Sequence, residues 1–256
     1  MTAPIPRDIP DLPAVPGIPS LALPPVPAAA VCAPARRSPT AAFRVLTALA
    51  AATGITICLL LAGPAKSLSS FTVQANILLA ATMLASARRA WTTRGPLPGA
   101  VSGAALLYVV AAASVHHFLL ADGASPLRTA PSGGATAATV LLHTITPAAA
   151  ILDWLLLTPP SRLRLRQAAP WMLYPLAYLA FTLARGELLL PGAPARYPYP
   201  FLDIVQHGYR GVLGNALLLG LALYAAALLL IAIDHTRPNP VRHRPKTGFR
   251  LQPPVG

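Results

Sequence analysis

The sequence predicts an all-α membrane protein, a polytopic bundle of six transmembrane helices with both termini in the cytoplasm. Three observations carry that prediction. The 256 residues are 55% apolar and only 11% charged, with a mean hydropathy of +0.58, too oily for an ordinary soluble domain. Six apolar stretches reach or approach the roughly 20 residues that a helix, rising about 1.5 Å per residue, needs to cross about 30 Å of hydrocarbon. The basic residues alternate between the connecting segments as they do where short cytoplasmic loops retain Lys and Arg.

The six stretches are 42–62, 70–90, 98–120, 136–157, 170–184 and 211–233. The fifth is the shortest, and its Trp171, Tyr174 and Tyr178 extend it toward the headgroups, where aromatic side chains are favoured. With the N-terminus inside, the cytoplasmic segments hold Arg7, Arg36, Arg37, Arg44, Arg88, Arg89, Arg94, Arg162, Arg164, Arg166, Arg237, Arg242, Arg244, Lys246 and Arg250. The outer segments hold only Lys66, Arg128, Arg185, Arg196 and Arg210, which completes the 20 basic residues. An even number of spans also places both basic ends on one side.

Tails flank this domain. Residues 1–40 carry 11 of the 30 prolines together with Asp8 and Asp11, where a secretory signal would need an apolar core, so a disordered, proline-rich cytoplasmic tail is expected. Residues 41–235 form the six-helix transmembrane domain, and 236–256 a basic tail whose cluster from Arg237 to Arg250 meets anionic lipid headgroups. Heavy use of Ala, Pro, Arg and Leu with little Lys points to a GC-rich bacterial genome, hence to a multi-pass protein of the bacterial plasma membrane.

A net charge of +13 would suggest nucleic acid in a soluble domain. Here the charge follows membrane sidedness, so the expected partner is the lipid bilayer and no nucleic acid. Cys32 and Cys58 lack the spacing of a disulfide framework or zinc site, and the six histidines are scattered, so neither metal nor cofactor is expected. Oligomeric state is not legible.

Polar residues inside the spans carry the functional signal, because an unsatisfied polar group in hydrocarbon is costly. The second span opens Ser69-Ser70-Phe71-Thr72-Val73-Gln74-Ala75-Asn76, and Thr72 and Asn76, four apart, share a face. The third span ends in His116-His117, and the fourth carries Leu142-His143-Thr144-Ile145-Thr146-Pro147. Thr72 lies about 5 Å and His143 about 10 Å below the outer helix ends, so both belong to the outer half of the bundle. Tyr197-Pro198-Tyr199-Pro200-Phe201-Leu202-Asp203 comes from the outer surface above them. Pro147 has no N–H for the carbonyl of His143 and is expected to kink the helix there, with Thr144 or Thr146 meeting the backbone.

These segments, with Asp153-Trp154, Tyr174-Pro175-Leu176-Ala177-Tyr178 and Arg185-Gly186, resemble in order the androgen-induced-gene family of six-helix membrane proteins and its bacterial relatives, over roughly 42–234. That family includes the androgen-dependent TFPI-regulating protein. Its animal members are membrane threonine hydrolases that cleave fatty-acid esters of hydroxy fatty acids. The resemblance implies Thr72 as nucleophile and His143 as general base, acting on a lipid-like ester. Ala75 departs from the serine expected in many bacterial relatives, and the proline-rich tail has no counterpart.

Supporting roles fall to Asn76 as an oxyanion donor, joined by His116 or His117, and to Asp203, which on depth is a better third member than Asp153. Plainer readings stand beside these. A threonine in a membrane helix commonly bonds its own backbone, and the His116-His117 pair has the look of a solvated helix end. Asp153 is expected to cap or to pair with an arginine of the 162–166 loop, and Arg185 to pair with Glu187 or Asp203 or to snorkel outward. Gly99 and Gly103 read as close packing within the bundle. A non-catalytic structural or regulatory protein remains the alternative. A transporter is disfavoured because the inner halves of the spans are almost wholly Ala, Leu and Val, without an inverted repeat.

Overall fold

The computed structural model describes residues 37–120, 133–190, 193 and 196–238. All regular structure among them is helical. The long helices are α1 (Ser38–Ala62), α2 (Phe71–Trp91), α3 (Gly99–Leu119), α4 (Gly133–Leu157), α5 (Leu173–Leu188) and α6 (Ile204–Thr236). The tails expected at 1–40 and 236–256 lie almost wholly outside the described residues, as does Cys32. At the edge of the first, α1 begins at Ser38, four residues before the expected span.

Four helices, α1, α3, α4 and α6, are long and apolar enough to cross a membrane. α2 falls short of that measure because Gln74, Asn76 and Arg88 dilute its Leu and Ala. α5 has 16 residues, about 24 Å, and the turn Ala168–Trp171 leads into it. Large apolar side chains are exposed along these helices, among them Leu46, Leu49 and Leu60 on α1, and Leu217, Leu218 and Leu229 on α6. A surface of that kind is stable against lipid and not against water, so the chain is an integral membrane protein.

Small residues let the helices approach closely, as packing in lipid requires. Ala48 of α1 meets Leu79 and Met83 of α2, Ala105 and Val109 of α3, and Ala150 of α4 in one buried cluster. A Cβ on Gly54 would lie 2.7 Å from Leu142, so only glycine lets α4 sit this close to α1 beside His143. Gly103 is likewise covered by Trp171, whose indole Nε1 donates to the carbonyl of Ala100 (2.9 Å). The glycine pair of α3 thus serves packing inside the bundle.

α5 is pinned to the start of α2 by two tyrosine hydroxyls. Tyr178 donates to the Ser69 carbonyl (2.9 Å) and Tyr174 to Gln74 Oε1 (2.8 Å). α6 starts at Ile204, seven residues earlier than the apolar run suggests, because Asp203 caps it and Gly208, at φ +64°, takes up a kink.

At the opposite end of the helices lies a charged cluster. Arg44 Nε donates to Asp153 Oδ1 at 2.7 Å, and both side chains are buried. This corrects the expected pairing of Asp153 with the 162–166 loop. That loop is held by Asp234 instead, whose Oδ2 accepts from the backbone N–H of Arg162 (2.7 Å) and Leu163 (2.9 Å). Asp234 also pairs with Arg237 (2.8 Å) and accepts from Trp154 Nε1 (3.1 Å). Arg237 apart, the partners lie 71 to 109 residues from one another in sequence, beyond the reach of local sequence patterns. This end of the bundle is therefore less purely apolar than the composition of the spans implies.

Candidate functional site

Thr72 is the second residue of α2, just after the N-cap Ser70. That position decides what its hydroxyl does. Thr47, Thr56, Thr82 and Thr92 each donate to the carbonyl four residues earlier, the common fate of a helical threonine. Four residues before Thr72 stands Leu68, in a different helical turn, and its carbonyl already accepts from Gln74 Nε2 (2.8 Å). The Thr72 hydroxyl turns across the bundle instead. It lies 3.3 Å from His143 Nε2 and 3.4 Å from the Tyr199 hydroxyl, and both Thr72 and His143 are 3% exposed.

His143 owes its place to a local break in α4. Pro147 cannot donate to the His143 carbonyl, and the helix widens over Leu141–Ile145 into a π turn in which the Thr146 N–H bonds the Leu141 carbonyl. The freed His143 carbonyl accepts from His117 Nε2 (3.1 Å). Of the two threonines expected to meet the backbone here, Thr146 does so at the Leu141 carbonyl, while the His143 carbonyl itself is met by His117. The Thr146 hydroxyl lies 2.9 Å from the Leu141 carbonyl, and Thr144 Oγ1 is 3.4 Å from His117 Nε2.

The imidazole of His143 is oriented at both nitrogens. Nδ1 lies 3.2 Å from the Thr139 carbonyl, which can only accept. Nδ1 therefore carries the proton, and Nε2 presents its lone pair to Thr72. His116 stacks on the same ring, centroids 3.9 Å apart and planes 24° off parallel. Its Nδ1 is buried without a hydrogen-bond partner among the described residues. His116 is thus a wall of the site, and His117 braces the backbone of α4.

Two expected helpers are engaged elsewhere. Asn76 Nδ2 donates to the carbonyls of Thr72 (2.9 Å) and Leu142 (3.3 Å), and its Oδ1 accepts from Thr146 Oγ1 (2.7 Å). Its amide ties α2 to α4 and has no donor left for a substrate oxygen. Asp203 caps α6, accepting from the Val205 N–H (2.9 Å) and from Gln206 Nε2 (3.0 Å), and it contacts neither Thr72 nor His143. Arg185 forms no ion pair with Glu187 or Asp203: its Nε is buried without a partner among the described residues, and Glu187 accepts from Tyr209 (2.6 Å).

Tyr199 stands in the outer segment expected above the site but has no role legible in the sequence, and Thr139 carries no signal there at all. Tyr199 comes from the segment between α5 and α6, is 5% exposed, and stacks on Phe201 with centroids 5.2 Å apart. Its hydroxyl lies 3.4 Å from Ser70 Oγ, from Thr72 Oγ1 and from the Thr72 backbone nitrogen. The two prolines flanking it were the available signal, since they stiffen a loop that must hold one side chain in place.

Beside these groups opens a cavity of about 410 Å³ between α2, α3, α5 and α6. Thr72, His116, His143 and Tyr199 line one end, and the remainder is apolar, with no Asp, Glu, Lys or Arg in its wall. Leu176, Leu213, Leu217 and Leu221 line it and are also exposed on the outer surface, so it opens sideways between α5 and α6. Among the described residues no group of three or more His, Cys, Asp or Glu is gathered to hold a metal ion. No protein family, curated protein or solved structure matches the chain.

Proposed function

We propose that this protein is a six-span membrane hydrolase of lipid esters, with Thr72 as nucleophile and His143 as general base. One observation carries the reading: the Thr72 hydroxyl faces the unprotonated nitrogen of His143 at 3.3 Å, at the polar end of an apolar cavity. Such a cavity suits an acyl chain, and its polar end suits the ester carbonyl.

In the reaction, Thr72 Oγ1 attacks the carbonyl carbon while its proton passes to His143 Nε2. The proton then goes to the departing alcohol oxygen as the ester bond breaks, leaving an acyl-threonine. Water, deprotonated by the same nitrogen, releases the carboxylic acid. The Thr139 carbonyl fixes the imidazole throughout, in the position that a carboxylate holds in many hydrolases. The resemblance to the androgen-induced-gene family leads to the same pair of residues. In this reading α2 and α5 cross the membrane with the other four helices, both termini are cytoplasmic, and the site lies in the outer half of a bacterial plasma membrane.

The test is covalent labelling of the purified protein in detergent by a fluorophosphonate probe. Wild type is expected to label, and Thr72→Ala and His143→Ala to lose at least about 10³-fold in labelling rate. Equal labelling of all three would overturn the assignment. A folded wild type that does not label at all points to the structural or regulatory alternative.

A further inference from the structure

We infer that Tyr199 is a third catalytic residue, whose hydroxyl, with the backbone N–H of Thr72, forms the oxyanion hole of the site. The inference rests on the hydrolase reading above and deepens it. An attacking threonine turns the ester carbonyl oxygen into an anion, and in a water-poor cavity that charge needs donors fixed before the reaction starts. Asn76 is spent on backbone carbonyls, and His117 donates to the His143 carbonyl. His116 offers the cavity a ring face stacked on His143. Beside Thr72 Oγ1, its own N–H and the Tyr199 hydroxyl are hydrogen-bonded to each other and to no carbonyl among the described residues.

Their geometry is that of a hole still closed on itself. The Thr72 N–H, one of the donors that a helix start leaves without an intrahelical acceptor, donates to Tyr199 Oη at 3.4 Å. The Tyr199 oxygen therefore marks where that N–H delivers its hydrogen bond, 3.4 Å from the attacking oxygen. The proton of Tyr199 is free to turn, since its neighbours Ser70 Oγ and Thr72 Oγ1 are both hydroxyls at 3.4 Å that can accept or release it. When a carbonyl carbon bonds to Thr72 Oγ1, its oxygen comes to lie beside the Tyr199 oxygen, where it takes over the hydrogen bond of the Thr72 N–H while the phenol O–H turns onto it. The ring stays put, stacked on Phe201 and edge-on to Tyr178. Electrons balance without a further reactant: the carbonyl π pair becomes the oxyanion lone pair and returns when the alcohol leaves.

The experiment compares fluorophosphonate labelling of wild type, Thr72→Ala, Tyr199→Phe and Ser70→Ala, each checked for thermal stability in the same detergent. In this probe the phosphoryl oxygen takes the oxyanion position, Oγ1 bonds to phosphorus and fluoride departs. Tyr199→Phe is expected to fold as wild type and to label about 10²- to 10³-fold more slowly. With an ester substrate that loss should fall on kcat and leave KM within about twofold, since the missing bond acts only in the transition state. Ser70→Ala, which removes the other hydroxyl beside Tyr199 without removing a donor to the oxyanion, should label within about threefold of wild type.

Should Tyr199→Phe prove unstable, 3-fluorotyrosine at position 199 keeps the ring and makes the hydroxyl a stronger donor, and a few-fold faster labelling is expected. Labelling of Tyr199→Phe at the wild-type rate, or no response to the fluorine, overturns the inference while leaving the Thr72–His143 assignment standing. Labelling that persists in Thr72→Ala overturns both.

Discussion

The bundle holds polar groups at both ends, and they are used in opposite ways. At the Arg44 end the charges are paired: Arg44 with Asp153 and Thr158, Asp234 with Arg237, two backbone N–H groups and Trp154. The cavity that Arg44, Asp153 and Asp234 line is about 40 Å³, against about 410 Å³ beside Thr72. At the Thr72 end no full charge enters the cavity wall, the Thr72 and Tyr199 hydroxyl contacts are long at 3.3 to 3.4 Å, and the Nδ1 of His116 has no partner among the described residues. Matched charges make a rigid clamp, because a buried ion left without its partner is costly. Loosely met neutral groups beside empty space are poised to exchange partners with an incoming molecule. The contrast is between a fully paired charged cluster and a loosely met neutral one beside a cavity.

Three substitutions sharpen or break this contrast. The largest effect is expected at the clamp. Arg44→Met leaves Asp153 buried with only Thr158 to meet it and should cost about 3–5 kcal/mol, read as a lower thermal midpoint in detergent. The double variant Arg44→Met/Asp153→Leu should recover most of that loss, and the labelling rate per folded molecule should stay at the wild-type value in both. A clamp variant that stays folded yet loses labelling would show that the two ends are coupled.

Next comes Asn76→Ala, which removes three hydrogen bonds between and within α2 and α4 and should cost about 1–3 kcal/mol. Its labelling is expected to fall less than tenfold. A loss beyond 10²-fold at unchanged stability would restore Asn76 as the oxyanion donor that the sequence suggested.

The smallest effect is expected for Asp203→Ala. It removes the cap of α6 and should lower stability by about 1 kcal/mol, with labelling unchanged. A labelling loss there would return Asp203 to the site as its third member.

What the sequence could reveal follows from the range over which each feature is encoded. The helices were legible because apolar runs and the prolines and polar residues that end them are local: α1 ends at the expected Ala62, α2 lies one residue from its predicted bounds, and α4 ends at the expected Leu157. Thr72 and His143 stood out because each is a polar residue in hydrocarbon near one end of a span. Which way Asn76 would point was not legible, since that depends on Thr146 and the carbonyl of Leu142 arriving from another helix. Tyr199 was quoted in a motif without a role, because a loop residue gains one only when the loop folds back over α2. Asp153 was assigned to a nearby loop, whereas its partner lies 109 residues away.

The wide turns of α4, Leu141–Ile145 and Asp153–Leu157, have a consequence for how the two ends are kept in step. Each holds a surplus residue relative to regular α-helix, and each surplus residue rotates the remainder of the helix by about 100°. Thr146 meets α2 and Asp153 meets α1 only because the first of these phase shifts has already been made. A chain lacking Ile145 would keep every side chain of both clusters and aim the later ones at the wrong neighbours. The distant ends of the bundle are thus aligned by a count of residues along one helix.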